Sequence, residues 1–144
     1  MANLTNAASR TFEMLADEQD YPMAAAKIYQ GSALSDAGSP GAATNVAETL
    51  VAGENFLGFA NTTIDNSGGT AGSQTIDMKC KGTVLLVVAG LAATSLGASV
   101  YASDGNTFTL TAAANSKIGV VKKILSVSAG TALVSFSGVQ YRAG

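Results

Sequence analysis

Glycines 53 and 58, in Gly53-Glu54-Asn55-Phe56-Leu57-Gly58, have the spacing of a phosphate-binding loop. Such a loop points backbone N–H groups at phosphate, then follows its last glycine with Lys and with Ser or Thr for phosphate and magnesium. Here Phe59 and Ala60 follow, so the segment reads as a turn. Acid-base work could fall to paired carboxylates, and the candidate pairs are Glu13 with Asp17 and Asp65 with Asp77. Nothing in their spacing brings either pair into a cleft, and a solvated surface accounts for both. Cys80 is the single cysteine, and the chain has no histidine to serve as its base. The missing histidine also removes the commonest transition-metal ligand. Asp65-Asn66 alone falls short of the alternating oxygen ligands of a calcium loop. The expectation is a non-enzymatic chain with no catalytic residues, no metal and no cofactor.

With 144 residues, 47% of them hydrophobic, the chain can bury one adequate core. Only 12% of residues are charged, about half the usual share, which implies that partners cover some of the surface. The net charge is -2, and the clustered basic residues are the pairs Lys79/Lys81 and Lys122/Lys123. A nucleic-acid surface needs a basic stripe that neutralises several phosphates, so no nucleic-acid partner is expected. The uncharged run from Gly82 to Ser103 is long enough to span a bilayer, but its Gly, Ser and Thr residues dilute it. Two buried strands turning near Gly90 is the better reading, with no membrane partner. The first ten residues lack the basic and apolar regions of a secretory signal, so synthesis in a cytoplasm is expected.

What must position any site is β structure. Ile76, Met78 and Cys80 alternate with Thr75, Asp77, Lys79 and Lys81, the pattern of a strand buried on one face, which turns Cys80 inward. Asn55 to Thr63 alternates loosely, placing Phe56, Gly58 and Ala60 opposite Leu57 and Phe59. Val100-Tyr101-Ala102 and Phe108-Thr109-Leu110 flank Asp104-Gly105, which suits a hairpin with a type I′ turn. Lys117 to Val127 and Thr131 to Ser137 form a last pair, with Ala132, Val134 and Phe136 on one face and a bulge or exposed edge at Lys122-Lys123. Short strands at this spacing predict an all-β fold, a compact small β-barrel or sandwich, over residues 25–144.

Residues 1–24 differ. Glu13, Asp17, Glu18 and Asp20 stand there against Arg10 alone. The stretch reads as an N-terminal arm, either a short helix capped by Asn6 or an extended segment, that stops at Pro22. It could equally pack back on its own domain.

The run Tyr21-Pro22-Met23-Ala24-Ala25-Ala26-Lys27-Ile28-Tyr29-Gln30-Gly31-Ser32-Ala33-Leu34 resembles the opening strand of the capsid decoration, or head cement, proteins of tailed bacteriophages. Phe56-Leu57-Gly58-Phe59-Ala60, Ile64-Asp65-Asn66-Ser67-Gly68-Gly69, Gly97 to Tyr101 and Lys117-Ile118-Gly119-Val120-Val121 follow in the same order, covering most of residues 21–137. The resemblance implies a β body, commonly a homotrimer, on the outer surface of a virion. There it bridges neighbouring subunits of the major capsid protein and stabilises the mature head. It also implies an N-terminal segment that reaches onto the capsid. In this chain that region is residues 2–21, with Phe12, Leu15 and Tyr21 as apolar anchors and Arg10 as the charged contact. On this reading the arm is separable from the fold, and deleting residues 2–20 leaves stability almost unchanged. A tail, baseplate or spike β-protein shares the composition, and a small β-barrel enzyme is the third class.

Overall fold

The computed structural model describes residues 3–11, 17–37 and 45–138; of Asp17 it describes only the backbone. The described residues form strands and loops without a helix. The organiser is the strand Thr75–Ala89, here β7, whose even-numbered side chains Ile76, Met78, Cys80, Val84, Leu86 and Val88 are all buried. The sequence alternation at Ile76, Met78 and Cys80 therefore runs on to Val88, and Cys80 faces inward as expected. One face of this single strand serves two cores in turn. Its first half packs on Met23, Ile28, Leu34, Leu57 and Ala60, and its second half on a cluster containing Phe56, Phe59, Phe108 and Phe136.

The second half belongs to a closed five-stranded barrel. β7 pairs antiparallel with β11 (Thr131–Ser137), β11 with β10 (Ser116–Ser126), β10 with β8 (Ser99–Asp104) and β8 with β9 (Thr107–Thr109). The ring closes where β9 returns to β7, Val88 opposite Phe108, and this pair is parallel. An odd number of strands cannot close with every pair antiparallel, so one parallel junction is a necessity of the count. Ala132, Val134 and Phe136 line the interior, as their alternation predicts. The register of β10 against β11 passes from Val121 opposite Val134 to Lys123 opposite Leu133, leaving Lys122 as the extra residue of a bulge. The uncharged stretch after Gly82 is the end of β7, an irregular loop over residues 90–98 that opens on Gly90 (φ 84°), and the start of β8; the two strands do not pair with each other, so no tight turn joins them.

The remaining strands extend the sheet from the first half of β7. β5 (Phe56–Ala60) pairs there, followed by β3 (Ala33–Asp36) and β4 (Ala47–Thr49), while β2 (Lys27–Ile28) and β6 (Ile64–Asp65) form a separate ribbon. β5 is buried along its whole length. It departs from the expected alternation, because a bulge at Leu57 puts Phe56 and Phe59 together in the barrel core and Leu57 and Ala60 together in the other. Gly53 does occupy a turn (φ 91°), whereas Gly58 lies inside β5. A Cβ on Gly58 would collide with the Lys79 carbonyl, so its glycine is what lets β5 lie against β7.

β1 (Asp17–Pro22) pairs with the other edge of β7, Tyr21 opposite Ile76 and Glu18 opposite Lys79. The described part of residues 1–24 thus lies on the β body. The Asp104-Gly105 hairpin forms, but not through a type I′ turn, since neither Gly105 nor Asn106 has positive φ. The Asp104 carboxylate shapes it instead, accepting from the Asn106 N–H at 2.8 Å and from the Thr107 hydroxyl at 3.1 Å.

Candidate functional site

Of the residues singled out for partner contact, Arg10 and Tyr21 are described, and Arg10 makes several contacts with its own chain. Its Nε donates to the Gly31 carbonyl at 2.5 Å and a terminal nitrogen donates to Asn106 Oδ1 at 2.8 Å. The guanidinium lies 5.6 Å from the Phe59 ring centre and 5.2 Å from that of Phe108, where ring quadrupoles attract a cation. Desolvation pulls its pKa down to about 10, which leaves it charged at neutral pH. Neighbouring chain is pinned as well: the Ala8 N–H donates to the Gln30 carbonyl at 2.8 Å, and the Leu85 N–H to the Thr11 carbonyl at 2.8 Å. The Ala8 backbone occupies the space that a Cβ on Gly31 would need, and Gly31 has φ 90°. Tyr21 sits half-buried in β1 against the second core, its hydroxyl pKa raised by desolvation and then by Asp36. Phe12 and Leu15 lie outside the described residues.

Asp65 and Asp77 are engaged by different partners, and Glu13 and the side chain of Asp17 lie outside the described residues. Asp65 is exposed and bound to Ser67, which lowers its pKa, while Asp77 accepts from Asn61 Nδ2 at 2.7 Å. Asn61 also donates to Glu18 Oε1, which forms a 2.9 Å ion pair with Lys79 and ties β1 to β7. Among the described residues no group of three His, Cys, Asp or Glu side chains could hold a metal ion.

A carboxylate group unseen in the sequence forms instead around Glu48 of β4. Its pKa is raised to about 7, chiefly by burial, then by a hydrogen bond to Glu54 and by the charges of Glu54 and Asp36. Glu54 in turn accepts from Ser35 Oγ at 2.7 Å. Between the ordinary value of 4.5 and about 7, the folded chain holds a proton that the unfolded chain has released. This contribution to stability is present below that window and is lost as pH rises through it. Glu48→Gln should flatten that part of the pH profile, and thermal melting of both proteins across the window checks it. Parallel profiles would contradict the assignment.

The outer face of β7, β11 and β10 has a different character. Val87, Val120 and Leu125 are 63%, 36% and 47% exposed, and Val127 in the following turn is 47% exposed. Lys81, Lys117, Lys122 and Lys123 lie on the same strands, and neither β10 nor β11 carries an acid. A groove of about 280 Å³ lies between Lys81 and Lys117, floored by Val120, Ser135 and Ser137. Exposed aliphatic groups beside lysines can bind a protein surface that combines apolar and acidic groups. The lysine doublet was legible as an edge feature, but its union with Val87 and Lys81 depends on the pairing of β7 with β11.

Among the described residues no helix is long and apolar enough to cross a membrane. No known protein-family model matches the chain, and no curated protein matches it.

Proposed function

We propose that the chain is a non-enzymatic structural protein of a tailed-phage virion. It binds the outer surface of the capsid, bridges neighbouring major capsid subunits and stabilises the mature head, acting as a homotrimer. The observation that carries this reading is the basic and apolar outer face of β7, β11 and β10, on a barrel whose interior is filled by side chains. The ordered resemblance of residues 21–137 to decoration proteins supports it. Arg10 and Tyr21 are engaged with their own domain, so the shell contact is assigned to the sheet face. The mechanism is mass action: a ligand that binds the assembled shell and not its dissociated subunits shifts the equilibrium toward the shell.

Cosedimentation with undecorated heads tests the assignment. Val87→Asp combined with Leu125→Asp changes two exposed positions, so folding should survive while binding weakens by about tenfold or more. Undiminished binding by a folded double variant would remove this face from the contact.

A further inference from the structure

Residues 3–11 lie against the β body beside β7 and β9, without regular secondary structure. They are held at separated points. Near one end Asn3 Oδ1 accepts from the Gly105 N–H at 2.6 Å, and near the other Ala8 and Arg10 hold Gln30, Gly31 and Asn106. Between these pins, Leu4 to Ala7 stand off Val87, Ala89 and Thr107 across an open cavity of about 780 Å³. The segment is therefore a strap held near its two ends, with an open cavity beneath its middle. Every group it grips belongs to the β body, in loops and strands that the segment does not help to form: the Gly31 carbonyl, the Asn106 amide, the Gly105 N–H and the rings of Phe59 and Phe108.

We propose that the groove formed by Gly31, Gly105, Asn106 and the rings of Phe59 and Phe108 is a receptor for the Arg10-bearing segment, and that it accepts this segment from a second copy of the chain as well as from its own. The contacts are the same in either case, since exchange of an identical element between copies sacrifices none of them. The covalent link gives the chain's own segment its advantage, as an effective concentration. A rising concentration of the chain offsets that advantage. Arg10 is the anchor because its cation is desolvated over the rings of Phe59 and Phe108 and bonded to two acceptors, a combination that a chain lacking arginine cannot supply. The inference goes beyond the capsid reading and does not depend on it.

The test uses the full chain and a fluorescent peptide of residues 2–11, with binding followed by anisotropy. In Arg10→Ala the chain's own strap is weakened and the groove freed. That variant should bind the peptide saturably and at least about tenfold more tightly than the wild-type chain, whose own Arg10 occupies the site. A peptide carrying the same Arg10→Ala change should bind neither protein. Equal binding of the two peptides, or no binding to the variant, would overturn the proposal. A second measurement leaves Arg10 in place. Ala8→Cys with Gln30→Cys, oxidised at rising protein concentration, should give an increasing share of chain-to-chain disulfides, with buried Cys80 taking no part. Links confined within single chains at every concentration would overturn exchange between copies.

Discussion

Phe59→Ala should cost the fold about 4 kcal/mol. Phe59 is fully buried at the centre of the aromatic cluster, edge-on to Phe136 at 4.9 Å and to Phe56 at 5.6 Å, with Phe108 at 6.1 Å. Edge-to-face pairs add to the area term, so removing this ring forfeits several contacts and leaves a cavity. It also takes away one of the two rings that flank Arg10. The effect should therefore exceed that of Leu125→Ala on the exposed outer face, expected within about 0.5 kcal/mol. Urea titration of both variants checks this. A loss under about 1.5 kcal/mol for Phe59→Ala would mean that this cluster is not the centre of the barrel core.

The second large effect concerns the N-terminal segment. Deleting residues 2–20 should lower stability by on the order of 3 kcal/mol, where the sequence alone predicts almost no change. The deletion strips the β7 edge of its partners from Asp17 to Asp20 and removes the Glu18–Lys79 ion pair. It also leaves Phe59 and Phe108 without the guanidinium that covers them. The exposed ion pair contributes little, so most of the loss should come from the unpaired strand edge and the uncovered rings of Phe59 and Phe108. Arg10→Ala alone should reproduce a substantial part of it. A truncated protein that melts within a degree or two of the full chain would show that the segment rests on the body without supporting it.

The two ends of the chain differ in how far their sequence reveals their place. In β11 and the first half of β7 one face is buried and the other open, so period-two alternation identifies both strand and face, and Cys80 is placed correctly. The bulge at Lys122 shows because two lysines in succession cannot both point into a core. β5 defeats the same rule: it is covered on both sides, and a bulge at Leu57 breaks the period within five residues. β1 is hidden for the opposite reason. Asp17–Pro22 is acidic and ends in proline, a composition that marks an arm, yet it suits an edge strand whose partner supplies Lys79. Arg10 and Glu48 depend on chain brought together from far apart. The cation sits on rings 49 and 98 positions away in sequence, and the carboxylate meets Glu54 only across the turn at Gly53. No local pattern encodes either.

Electron microscopy of the parent particle tests the capsid reading most directly. The account predicts density on the outer surface of the shell that fits the five-stranded barrel, in groups of three, with Val87, Leu125 and Lys122 turned toward the major capsid protein. A mature shell bare of such density, or barrels of this shape found only in the tail, would contradict it.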